Sequence, residues 1–176
     1  MKNKALQYGL IYGVISALIL LIIYFVDSST LFSTTYSAIG IVVAAIFMWL
    51  AATKERQMRG GFINFGEAFV PSFLTYLIGS FIGGISFYIL INFIDSSLIE
   101  VFKEYSLSAA EAGLRFSGLP EEQVLEQMDK MQEEQAADGN PFGIGTSLMG
   151  FAISSIVFGL PLSAIIAAIV KKKQPE

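Results

Sequence analysis

GGFINFGEAFVPSFLTYLIGSFIGGISFYILINFI, Gly60 to Ile94, is the stretch that decides the fold. A polar, glycine-containing beginning runs into Ala68–Ile94, which carries no formal charge. A run of this length and polarity crosses a bilayer core of about 30 Å as a helix. Gly60-Gly61 breaks the preceding segment. Asn64 is placed to cap the new helix, and Glu67, three residues on, has capping-box spacing. Pro71 is read as falling in the first turn or so, where few backbone donors have helical partners. The beginning reads as a loop at one membrane face, and the rest as a transmembrane span over 68–94.

Working outward, the 176-residue chain has 54% hydrophobic residues and a mean hydropathy of +0.63. Soluble domains are about 45–50% apolar, and here the excess sits in long runs. Ala5–Val26 is uncharged and, at about 1.5 Å per residue, reaches roughly 33 Å. It is longer than the apolar core of a cleaved signal peptide and lacks a small-residue cleavage site. We therefore read an uncleaved first span over 5–26, with Tyr8, Tyr12 and Tyr24 suited to interfacial positions. A short polar turn, Asp27–Thr35, leads into a second span over 36–52, so the first two spans form an antiparallel hairpin. A fourth span covers 146–170, where Gly159 and Pro161 predict a kink.

Between the third and fourth spans lies the only long hydrophilic stretch, 95–145. Its first part, SSLIEVFKEYSLSAAEAGLRF, and its second, PEEQVLEQMDKMQEEQ, are both rich in helix formers and are divided by Gly118 and Pro120. Val124, Leu125, Met128 and Met131 form a narrow apolar stripe at helical spacing, expected to pack on the neighbouring helix. Asn92 and Asp95, at the end of the third span, are expected to bond to water or backbone. The predicted fold is thus an all-α membrane protein: one domain over 1–176, four transmembrane helices and a helical segment between spans three and four.

Charge orients this arrangement. One side carries Lys2, Lys4, Lys54, Arg56, Arg59 and Lys171 to Lys173, against Glu55, Glu67 and Glu176. The other carries Lys103, Arg115 and Lys130, against Asp27 and eleven acids between Asp95 and Asp138. The positive-inside rule places both termini in the cytoplasm and the acidic segment outside it. The acids decide little in that assignment and read as a solvated surface.

With no histidine and no cysteine, the chain has no disulfide, no thiolate metal site and no histidine to serve as base, proton shuttle or haem ligand. No formal charge lies at mid-membrane depth, which disfavours a proton relay or ion-coupled carrier, though not a hydroxyl-lined pore. Ser154 and Ser155 have no base within reach in sequence. No phosphate loop or calcium loop is present. No cofactor, metal, catalytic residue or nucleic-acid partner is expected, and topology accounts for the basic residues. Glu67 reads first as a structural cap, and second as a carboxylate for a cation or partner.

Small residues recur at four-residue spacing: Gly9, Gly13 and Ala17; Gly40 and Ala44; Gly79 and Gly83; Ser155 and Gly159. In lipid such positions let helix backbones approach closely. Packing within one protomer is the expected use, and dimerisation through Gly79 and Gly83 the alternative.

GFINFGEAF, Gly61 to Phe69, resembles a bacterial family of four-span membrane proteins known as domain of unknown function 4199. NFIDSSLIE (Asn92 to Glu100) is similar to that family's exit from its third span, and SGLPEEQVLEQMDKM (Ser117 to Met131) to its extracytoplasmic helix. Gly150 to Lys173 is similar to its last span with a lysine-rich end. Family members often carry a hydroxyl residue where Asn64 stands, a change that preserves a cap. The resemblance implies the topology and a bacterial cytoplasmic (inner) membrane, with no activity and no functional residue attached. The leading functional expectation is a non-enzymatic membrane protein that interacts with itself or another envelope component. A small oligomeric channel or transporter is the alternative, which a deep polar cavity would favour. A lipid-modifying enzyme is third, which a close carboxylate pair would favour.

Overall fold

Helix α3, Phe65–Ile89, begins at a reciprocal cap: Asn64 Oδ1 accepts from the Glu67 N–H at 2.9 Å, and Glu67 Oε2 accepts from the Asn64 N–H at 3.0 Å. These two bonds satisfy donors that the first helical turn leaves free. The computed structural model describes residues 4–137 and 140–172; Lys2, Asp138, Lys173 and Glu176, used in the charge reading above, lie outside them. Within these limits the order is α1 (Lys4–Val26), a 3₁₀ turn (Ser28–Phe32), α2 (Thr34–Met58), α3, a π turn (Leu90–Ile94), α4 (Leu98–Phe116), α5 (Glu121–Ala137), α6 (Ile144–Ser154), a second π turn (Ser155–Gly159) and α7 (Leu160–Val170). Four stretches are long and apolar enough to cross a membrane: Lys4–Val26, Thr34–Met58, Phe65–Ile94 and Ile144–Val170.

The helix ends follow local chemistry. Asp27 caps the 3₁₀ turn and Ser33 caps α2 through bonds to the Ser29 and Tyr36 N–H groups. Helix α2 closes on Gly60 and Gly61, both at positive φ (79° and 94°), where the Gly61 N–H returns to the Arg56 carbonyl at 2.9 Å. A side chain at either position would strain that left-handed backbone. Pro71 is the seventh residue of α3 rather than part of its first turn, and the helix runs through it. At Pro161 the ladder adapts just upstream. The Leu160 N–H reaches back to Ser155 O, a π-type bond immediately before the missing proline donor.

Helix α3 is the hub of the bundle. Its Ser72, Thr75 and Tyr76 hydroxyls contact the α2, α1 and α6 backbones, at Met48 O (3.4 Å), Ala5 O (3.3 Å) and Ser154 O (3.3 Å). The contact with α1 is the most extensive, and the small residues make it interlock. Gly9 and Gly13 of α1 receive Ile78 and Ile82 of α3, while Gly79 and Gly83 of α3 receive Tyr12 and Ser16 of α1. Gly159 receives Tyr76 and Phe73 in the same way, and Ser155 is buried beside it in the π turn. The face of Gly79 and Gly83 is therefore occupied by a helix of its own chain. Tyr12 is correspondingly only 6% exposed and stacked on Phe47, a core residue rather than an interfacial one. Gly40 differs from the other small positions, with nothing within 4 Å of the place its Cβ would take.

Two apolar clusters divide the bundle along its length. One, around Met48, Ala52, Ala68 and Ala167, fills the half nearer the termini. The other joins Leu20, Leu31, Leu90, Ile91 and Leu98 at the opposite end. Beyond the second cluster, α4 and α5 form a polar helical hairpin. Val124 is buried and Met128 half-buried, and Gln135 Nε2 donates to Ser106 Oγ at 2.7 Å across the pair. The predicted stripe splits here: Leu125 turns outward, while Met131 shares the face of Val124, Met128 and Gln135 that meets α4 but stays 39% exposed.

Candidate functional site

Three places gather polar side chains. The first is the end of the bundle that holds the termini. Arg59 reaches Glu55 at 3.0 Å and Glu67 at 2.7 Å, so Glu67 serves both the helix cap and an ion pair. These residues border an open groove of about 540 Å³ with Val70, Pro71 and Leu74 along its apolar wall. One guanidinium between two carboxylates leaves no net positive charge for a phosphate. Beside the groove, Arg56 Nη1 donates to the Val170 carbonyl at 3.1 Å and supplies a donor at the end of α7. Ile63 and Lys172 exchange both backbone bonds, at 3.0 and 2.9 Å, and the Lys172 ammonium lies 5.7 Å from the Phe62 ring centre. The α2–α3 loop is thereby stapled to the end of the last span.

The second place is the opposite end. Asp95 accepts from the Tyr24 hydroxyl at 3.0 Å and from the Ser97 hydroxyl and N–H at 2.5 and 3.1 Å. Chiefly the Ser97 hydroxyl, then that of Tyr24, holds its carboxyl below the ordinary carboxylate range. Asp27 is lowered likewise by the Ser29 and Thr30 hydroxyls. Asn92 donates to the Tyr88 and Phe142 carbonyls at 3.0 and 3.1 Å and accepts from Asn140 at 2.6 Å. Asn92 and Asp95 thus bind side chains as well as backbone. Together they tie the ends of spans one, three and four.

The third place is a recess of about 220 Å³ between α1, α2 and α3, where the hydroxyl residues Tyr12, Ser16, Tyr36, Ser37 and Ser80 are set in a largely apolar wall with Ile19, Val43, Gly40 and Gly83. No reading of the sequence singled it out, because its hydroxyls come from three separate helices. Elsewhere Ser72, Thr75, Ser155 and Ser163 each donate to the carbonyl four residues back, at 2.6 to 3.0 Å, whereas the Thr53 hydroxyl is buried without a partner among the described residues. Among the described residues no three acidic side chains converge as metal ligands.

Four apolar spanning helices, hydroxyl bonds between them and a polar hairpin beyond the third define a multi-pass membrane protein. The chain belongs to the family described as "Protein of unknown function (DUF4199)", whose model matches residues 7–172. No curated protein and no solved structure matches it.

Proposed function

We propose that this protein is a non-enzymatic membrane component whose α4–α5 hairpin engages a basic face of another envelope protein. The observation that carries the reading is Phe116, 95% exposed at the tip of the hairpin, with Leu125 55% exposed on the following helix. Tyr105, Ala109, Ala112 and Phe116 share one face of α4, at helical spacing, and all are exposed. Exposed apolar side chains within a polar surface are a feature of protein contacts. Eleven acids against three bases between Asp95 and Asp138 favour a basic partner and oppose pairing with a second copy. The packed cluster around Met48 and Ala52 supports this reading over a channel through one protomer.

A photocrosslinking residue at Phe116 in native membranes is expected to give a discrete adduct with a protein other than itself, identified by mass spectrometry. The same probe at Gln57, on the termini side, is the control. Adducts no stronger at Phe116 than at Gln57 would remove the proposal.

We further propose that both termini lie in the cytoplasm, on the distribution of basic residues, and that the membrane is a bacterial cytoplasmic one, on the family resemblance. Gln127→Cys is expected to react with a membrane-impermeant maleimide in cells with a permeabilised outer membrane. Gln57→Cys is expected to stay unlabelled until the cells are lysed. The reverse pattern would invert the orientation.

A further inference from the structure

We propose that the recess between α1, α2 and α3 is a binding site for a small uncharged molecule that both donates and accepts hydrogen bonds, either water or a short polyol. This does not depend on the hairpin reading.

The argument begins with hydrogen-bond capacity. Each hydroxyl has one donor and two acceptor positions. Ser80 spends its donor on Tyr76 O at 2.6 Å, and Ser37 directs its own to Ser33 O at 3.4 Å, leaving oxygen lone pairs free to accept. Tyr12 and Ser16 line the recess as well, and each hydroxyl brings a donor and acceptor positions of its own. Among the described residues the Tyr36 hydroxyl has no hydrogen-bond partner. The recess therefore offers donors and acceptors together, and no charged side chain lines it. In hydrocarbon there is no bulk water to satisfy such groups, and a hydroxyl without a partner is costly.

The space is built by missing side chains. A Cβ at Gly40 would meet nothing within 4 Å, and one at Gly83 would be in ordinary contact with Ser16 Cβ at 3.4 Å. Two hundred and twenty Å³ exceeds several times the roughly 30 Å³ that one water occupies in the liquid, so a few waters or one molecule of glycerol's size can enter. Access is from the side. Along the first half of α2, Thr34 to Val42, every residue but Tyr36 is exposed, so this part of the helix stands away from its neighbours. Below, Tyr12 meets the buried cluster of Ala44 and Met48, which closes the recess toward the termini. A neutral guest suits the site, because an ion would have to shed its water with only hydroxyl oxygens to replace it.

The test uses the full chain in phosphatidylcholine nanodiscs with fluorotyrosine incorporated, the Tyr36 signal being assigned through Tyr36→Phe. Water and glycerol are the two probes. Glycerol titration is expected to shift the Tyr36 fluorine resonance saturably if a polyol is the guest. Magnetisation transfer from water to Tyr36, with no effect of glycerol, would identify water and equally uphold the site. Gly40→Leu places a side chain in the opening and should reduce either signal at least tenfold while the helical circular dichroism is unchanged. Ser16→Ala keeps the space and removes one hydroxyl, and should weaken the response several-fold. No response to either probe in the wild type would overturn the proposal, as would an undiminished response in a folded Gly40→Leu protein.

Discussion

Gly79→Leu is expected to destabilise the detergent-solubilised monomer by about 1–3 kcal/mol or more, the range for forcing extra carbon into a close-packed site. The reason is position. A Cβ at Gly79 would fall on the Tyr12 ring, and that ring has little room to retreat because it is stacked on Phe47. Gly84→Leu on the same helix is the control, since a Cβ there meets nothing within 4 Å. Gly83→Leu should lie between the two, because the nearest atom is Ser16 Cβ at 3.4 Å. The measurement is a thermal melt of each variant alongside crosslinking in membranes. Normal monomer stability in Gly79→Leu, combined with lost dimer crosslinks, would assign this surface to contacts between copies and break the α1–α3 account.

Glu67→Leu is expected to cost about 1 kcal/mol, the usual scale for losing a helix cap. It removes the acceptor for the Asn64 N–H and the carboxylate that faces Arg59. The ion pair itself adds little, because Arg59 and Glu67 are 43% and 37% exposed. Glu67→Gln keeps an oxygen that can accept from Asn64 and should stay within a few tenths of a kcal/mol of wild type by the same scale. Both values come from denaturation in detergent. If Glu67→Gln were as unstable as Glu67→Leu, the charge on Arg59 would matter more than the cap. If Glu67→Gln kept its stability but abolished a cellular phenotype, Glu67 would be a functional charge.

Much of the cap was legible because its chemistry is local. Asn64 and Glu67 are three residues apart, and one helical turn brings them into reach. The breaks at Gly60, Gly61 and Gly118 are also local, each resting on a residue that tolerates positive φ. Pairings across helices were not legible. Arg56 and the Val170 carbonyl are separated by 114 residues, and no spacing rule connects them. Small-residue spacing marked Gly9, Gly13, Gly79 and Gly83 as places of close approach, but it could not say which helix approaches. Tyr12 went to the wrong environment for that reason: its amphipathic ring suits an interface, and only the opening left by Gly79 explains why it is buried.

What the amino-acid sequence determined by itself was the number of spans, their order and the polar segment between the third and fourth. Those follow from runs of apolar residues that must satisfy their backbone hydrogen bonds internally in lipid. The tertiary structure alone decided that α3 is the hub, that the hydrophilic stretch pairs through Val124, Met128 and Gln135, and that hydroxyls from three helices line one recess. Helix rotation and crossing depend on the fit of side chains against distant neighbours, and hydropathy along the chain carries no information about that fit.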